Sequence, residues 1–174
     1  MDRVTNLLGT LALAVADRVA AATEAACGAG GAAAAVLVHL SRHPDTSVSD
    51  LAAVVGVGGS GGVRLADRLA ALGVVTRAPS PTDRRTVLLR LTEMGTETAR
   101  RVLDAREEAV RQVVEALGED QRSALEQLLP DLVTALPSSR KEVLRTCRLC
   151  DVTACRQAPG CPLDRWPPDD GGPA

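Results

Sequence analysis

Four of the five cysteines in this chain, Cys147, Cys150, Cys155 and Cys161, fall close together near the C-terminus, spaced C-x2-C-x4-C-x5-C. A C-x2-C pair chelates one metal without closing a strained ring, and two further thiols nearby complete a four-thiolate set. Such a set suits Zn²⁺ in a knuckle-like loop. It suits an iron–sulfur cluster equally, and Cys161-Pro162 matches the Cys-Pro that ends some ferredoxin runs. Arg145, Arg148 and Arg156 are expected to favour thiolate over thiol and to offset the charge of a bound centre. The alternative is a peroxide-responsive thiol switch; stable disulfides do not suit a cytoplasmic chain. The single aromatic residue, Trp166, follows Cys161 by five positions and is expected to shield the centre. Cys27, alone among Ala and Gly, reads as a small packed or loop residue.

Two glycine patterns suggest enzymes, and both lack a partner. Gly56, Gly58 and Gly61 fit G-x-G-x-x-G, the phosphate-binding turn of a small dinucleotide-dependent oxidoreductase. That fold needs several further strand–helix units, and an acid about 20 residues on for the ribose. Asp67 comes too early and Asp83 sits in a proline-rich loop. Gly58-Gly59-Ser60-Gly61-Gly62 also fits G-x-S-x-G, a nucleophile elbow. Its general base must follow the serine, whereas both histidines, His39 and His43, precede it. His39 reads as a packed or interfacial residue, and Glu107 with Glu108 as a solvated helix face. No enzyme is expected.

Charge points elsewhere. The chain has a formal net charge of −2 and a pI near 5.7. Yet Gly58 to Leu91 carries Arg64, Arg68, Arg77, Arg84, Arg85 and Arg90 against Asp67 and Asp83 alone, a local surplus of four. An acidic chain with a concentrated basic segment fits a local nucleic-acid contact rather than a globally basic binder.

The elements that position these residues are mostly helical. With 45% hydrophobic residues, 1% aromatic, and no Phe, Tyr or Ile, the core must be Leu, Val and Ala, which favours closely approaching helices over a sandwich or barrel. Helices are expected over 4–26, 32–40, 48–55 and 63–72, with Ser47 as an N-cap and Gly73 as a C-terminal stop. Strand-like runs at 74–78 and 86–91 flank Pro79-Ser80-Pro81-Thr82-Asp83-Arg84-Arg85, a hairpin. Thr92 can cap a long helix to about Leu117, and a last helix covers 119–136, kinked at Pro130. The apolar run Leu7–Ala16 resembles a signal-peptide core ending Ala14-Val15-Ala16. Asp2 offsets Arg3, however, and the stripe Leu7, Leu11, Val15, Val19 continues through the supposed cleavage site. At ten residues the run is too short to span a bilayer.

The chain resembles the MarR family of winged helix-turn-helix regulators. The resemblance is carried by Ser47-Val48-Ser49-Asp50-Leu51-Ala52, by the stretch from Val63 to Val75, and most specifically by Asp83-x-Arg85 followed by Leu91-Thr92-Glu93-Met94-Gly95. It implies a mainly α fold with a small β-hairpin wing: a dimerisation helix at 1–27, a winged helix-turn-helix at 28–95, dimerisation helices at 96–137, and a Cys-rich extension with a disordered tail at 138–174. It further implies a cytoplasmic, homodimeric regulator, a repressor, binding a two-fold symmetric duplex operator, with no membrane partner and an unidentified small-molecule effector. A recognition helix at about 58–72 would read bases through Ser60 and Arg64, with Arg68 and Arg77 as further DNA-binding residues. Arg84 and Arg85 of the wing would enter the minor groove, and Asp83 would brace the wing by pairing with an arginine. The start of the recognition helix departs from the family's polar residues, being Gly58-Gly59-Ser60-Gly61-Gly62. The cysteine string Cys147-Arg148-Leu149-Cys150-Asp151 is similar to an extension of some MarR-like regulators. The expectation is therefore a DNA-binding regulator modulated by zinc or an iron–sulfur cluster; the other readings are the oxidoreductase and a zinc-stabilised adaptor that binds no DNA.

Overall fold

A computed structural model describes residues 2–157 and 159–164. The elements run α1 (Arg3–Cys27), α2 (Gly31–Arg42), β1 (Thr46–Ser47), α3 (Val48–Val55), α4 (Gly59–Ala71), β2 (Val75–Pro79), β3 (Val87–Leu91), α5 (Glu93–Val114), α6 (Glu119–Thr134), α7 (Arg140–Thr146) and α8 (Val152–Cys155). The expected helices and hairpin are present within a few residues; β1, α7 and α8 are additions. The strands form one antiparallel sheet in the order β1-β3-β2.

Helix α2 is the centre. Ala33 to Leu40 are all buried, because a helix apolar all round must be surrounded. Leu37, Leu69 and Leu89, from α2, α4 and β3, are at most 1% exposed and join the helices to the sheet. The Leu91-Thr92-x-x-Gly95 string has a direct physical reason. Thr92 Oγ1 accepts from Gly95 N at 3.0 Å, capping α5, and donates to the Gly73 carbonyl at 2.7 Å. A Cβ on Gly95 would lie 1.9 Å from the Val74 carbonyl oxygen, so only glycine lets α5 start this close to the sheet.

The sheet disposes of the oxidoreductase reading. Residues 52–55 are the end of helix α3, not a strand, and all strand pairs are antiparallel. Gly56 is the left-handed cap of α3 (φ 74°), Gly58 the N-cap of α4, and Gly61 lies inside α4. The glycines serve a helix–turn–helix corner instead of a phosphate turn.

Helix α1 packs along α5 and runs unbroken through the supposed signal cleavage site. It also contains an 18-residue window apolar enough, by length and composition, for a membrane span, which the ten-residue run did not suggest. Val4, Leu7, Leu8, Leu11 and Leu13 are exposed along it. Helix α6 continues through Pro130, buries no residue, and exposes Leu128, Leu129 and Leu132, with Leu136 just beyond. The terminal segment from Arg165, including Trp166, lies outside the described residues.

Candidate nucleic-acid interface and cysteine pocket

The corner between α3 and α4 is built from local rules. Ser47 Oγ accepts from Asp50 N at 3.1 Å and starts α3; Gly56 ends it. Helix α4 begins at Gly58 with no side-chain cap. A Cβ on Gly62 would stand 2.8 Å from the Ala52 Cβ and 3.3 Å from the Val48 carbonyl oxygen, so close packing of α3 on α4 requires that glycine. Gly58 and Gly59 have no neighbour within 4 Å of such a position. Two residues further on, a Cβ on Gly61 would stand 3.2 Å from the Val57 Cβ, so Val57 packs against the first turn of α4.

Ser60 and Arg64 are exposed on the first turns of α4, where a recognition helix presents side chains. Arg68 is also exposed but stands within electrostatic reach of Cys27 at the end of α1. Arg77 on β2 pairs with Asp67 of α4 at 2.6 Å, stitching hairpin to helix. Arg84 and Arg85 are exposed at the hairpin tip. A groove of about 390 Å³ between helix and hairpin is lined by Ser47, Val48, Ser49, Gly59, Val63, Arg77, Arg85, Thr86 and Val87.

Asp83 braces the wing by a different route from the expected ion pair. Its carboxylate accepts from Arg85 N at 3.0 Å and Thr86 Oγ1 at 2.8 Å, and no arginine side chain pairs with it among the described residues. Those hydrogen bonds hold its pKa below the usual value. A carboxylate two residues before a turn amide closes an Asx turn, a shorter reach than any guanidinium offers. The arginine–aspartate brace is elsewhere: Arg90 of β3 forks onto Asp45, with Nη2 to Oδ2 at 2.8 Å. Asp45 holds a left-handed backbone (φ 61°) in the turn before β1. Sequence spacing gave no sign of this pair.

Residues 28–86 match the sequence profile of the MarR family. The chain superposes on YusO from Bacillus subtilis (TM-score 0.66, 25% identity, 76% of this chain and 93% of that one). It superposes likewise on RV1404 from Mycobacterium tuberculosis (0.66, 28%, 79% and 95%) and on wild-type MarR from E. coli in its apo form (0.61, 25%, 75% and 97%). The fold is that of the MarR-family winged-helix regulators. No curated protein sequence matches the chain. The MarR-like structures are covered almost whole, whereas roughly a quarter of this chain is left over, about the size of the segment from residue 138.

That segment does not trail free of the MarR-like lobe. Val143 of α7 and Leu163 are buried, and Leu149 packs on Ala34, Val38 and Val102. Arg42 Nη2 donates to the Cys147 carbonyl at 3.3 Å. All four clustered cysteines line one cavity of about 190 Å³, together with His39, Arg42 and His43 of the lobe and Arg140 and Arg156 of the extension. Cys155 lies near Cys150 and Cys161, close enough for the thiols to influence one another, and Cys150 Sγ donates to the Asp151 carbonyl at 3.5 Å. Arg156 borders the cavity as expected; Arg145 and Arg148 turn away, to the Ala53 carbonyl and the Arg145 carbonyl.

Burial is the largest influence on all four thiols and pushes each up, while Arg42 and Arg140 beside Cys147, and Arg42 and Arg106 beside Cys150, act the other way. Such thiols are poor nucleophiles until a cation displaces their protons. Among the described residues no three His, Cys, Asp or Glu side chains stand together as a metal site. The donor types, the shared cavity and the surrounding cations suit one; the spacing as it stands does not complete it.

His39, as expected, is packed: 9% exposed, with its ring centroid 4.7 Å from that of His43. Burial, then the neighbouring His43 and Arg42 charges, lowers its pKa to about 4. Cys27 is half-buried against both core clusters. Sequence reasoning missed Arg42 and the two histidines as walls of the cysteine cavity, since nothing in their spacing connects them to residues a hundred positions away.

Proposed function

We propose that this chain is a homodimeric, sequence-specific DNA-binding transcriptional regulator of the MarR type, whose C-terminal cysteine pocket takes a metal ion or iron–sulfur cluster that modulates DNA binding. The observation that carries the DNA-binding half is the exposed pair Arg84 and Arg85 at a hairpin tip beside an exposed α4, on a MarR-like fold. Helix α4 enters the major groove, and the wing arginines reach backbone or minor groove. The exposed leucines of α1 and α6 supply the surface on which a second copy pairs. Two-fold pairing then predicts half-sites about one helical turn apart. The convergence of four thiols on one cationic cavity carries the metal half. The four thiolates would hold the centre, which supplies a state set by metal supply or redox conditions.

The test is a duplex selected from a random-sequence pool by the full chain. The selected site should be a two-fold repeat. Arg84→Ala with Arg85→Ala should weaken binding about 100-fold and flatten the log K against log salt slope by roughly 1.8, the share of two phosphate contacts. Unchanged binding by the double variant overturns the winged-helix reading.

A further inference from the structure

Helix α3 is flanked at both ends. At its start, Ser47 pairs with Leu88 of β3, the strand of the hairpin whose tip bears Arg84 and Arg85. At its other end stands the extension. Arg145 of α7 lays its guanidinium against Gly56, where a Cβ would lie 3.3 Å from Cζ, and its Nε donates a long hydrogen bond, 3.5 Å, to the Ala53 carbonyl. Gly56 comes two residues before Gly58, the N-cap of α4. In a helix-turn-helix the first helix crosses the phosphate backbone and the second enters the major groove by its N-terminal turn. The corner at Gly56 therefore borders the groove, and protein contacts alone seat Arg145 there.

Helix α7 sorts its side chains by face. Val143 is buried, and Arg140, Leu144 and Cys147 line the cysteine cavity with it. Lys141, Arg145 and Arg148 follow at i, i+4 and i+7, one stripe on the opposite side that continues into the turn after α7. All three are exposed, and among the described residues none pairs with a carboxylate. Arg148 Nη1 donates to the Arg145 carbonyl at 2.6 Å, which ties the last two members together. The one acid of α7, Glu142, lies off the stripe and is engaged at the helix start, accepting from Ser138 N at 2.7 Å and Ser138 Oγ at 2.9 Å. From Ser138 to Arg148 the chain thus sets four basic residues against that single acid. Such a concentration of unpaired cations on one face suits a polyanion.

We propose that Lys141, Arg145 and Arg148 form a second backbone clamp, gripping the phosphates that border the recognition groove at the end of α3 remote from the wing. This rests on the winged-helix reading and is independent of what occupies the cysteine cavity. The recognition helix needs such a neighbour. Gly58, Gly59, Gly61 and Gly62 have no side chain to reach a phosphate, Ser60 has a short one, and Arg64 comes a turn later. The partner is the phosphate backbone of the same duplex, so the stripe adds affinity and fixes register without reading sequence. The wing and α7 then hold the duplex from the two ends of α3, with α4 between them.

The test uses the full chain and the selected duplex. Lys141→Gln with Arg148→Gln removes two charges and spares Arg145, which also supports the turn at Gly56. Binding should weaken about 30-fold at about 0.15 M salt, with the log K against log salt slope flattened by roughly 1.8. The base preference of the selected site should stay that of the wild type, because phosphate contacts carry no sequence. Lys141→Arg with Arg148→Lys keeps both charges and should keep the wild-type slope, which a purely structural role of Arg148 at the end of α7 would not allow. Phosphate-ethylation interference should lose one cluster of phosphates in the Gln variant and retain the cluster that belongs to Arg84 and Arg85. A Gln variant with wild-type affinity and slope, in a chain that Arg84→Ala with Arg85→Ala does weaken, overturns this proposal and leaves the winged helix standing. Equal weakening by the charge-keeping and the charge-removing pair overturns it too. A chain that selects no duplex overturns the winged-helix reading, and this proposal with it.

Discussion

The wing and the cysteine pocket both present charged or reactive side chains from short irregular segments, but they are held by opposite means. The wing is held locally. Ser80, Asp83 and Thr86 bond to one another across three to six residues, and β2 pairs with β3 in register from Val75↔Leu91 to Pro79↔Val87. The pocket is held across the chain. Arg42 reaches Cys147 over 105 positions, and Arg145 reaches Ala53 over 92. A locally held device is as stable as the lobe that carries it. A remotely held one can come away while the lobe stays folded, which is what a switch requires.

The largest way to break this contrast lies at the wing's base. Gly95→Ala puts a methyl where the Val74 carbonyl already is, and should cost about 3 kcal/mol, read as a lowered denaturant midpoint for the whole lobe. Val143→Ala should do something different. It removes a buried contact of α7, worth about 1–2 kcal/mol, but the loss should fall on the extension. Amide exchange should rise over 138–164 while the lobe's midpoint hardly moves; a single lower transition for the whole chain would erase the distinction.

The same contrast explains what the sequence revealed. The Leu91-Thr92-x-x-Gly95 string was readable because a cap, a strand end and a close backbone approach all lie within five residues. The four cysteines were readable as a ligand set because C-x2-C spacing is itself a local constraint. Where that set docks was not, since Arg42, His39 and His43 meet it only through tertiary packing. The burial that raises the thiols is hidden for the same reason, because it comes from packing of the extension on the lobe. Asp83 is legible in the sequence as a wing residue, but its partner is not an arginine side chain. Its real partners, one backbone amide and one hydroxyl, lie within three residues.

Two smaller effects sharpen the picture. Thr92→Ala removes the cap of α5 and the bond to the Gly73 carbonyl, and should cost about 1 kcal/mol by denaturant titration. His39 supplies a pH dependence on the pocket's inner wall. Its folded pKa of about 4 lies below the unfolded value of 6.5, so the unfolded chain binds more protons between them. Its contribution is complete above pH 6.5 and lost as pH falls toward 4. Between pH 7.5 and 5 the loss should be about 1 kcal/mol, discounted for partial solvent screening, and His39→Asn should remove that part of the slope.

The central claim is that a MarR-like DNA reader takes its signal through four cysteines docked on its own helix-turn-helix. Fluorescence anisotropy of the selected duplex tests it most directly, titrated with anaerobically purified protein before and after removal of its metal. The account predicts affinity about tenfold weaker after stripping, restored by reloading, and insensitive to either treatment in Cys147→Ser with Cys150→Ser. Equal affinity before and after, from a protein shown to have carried metal and lost it, would contradict it.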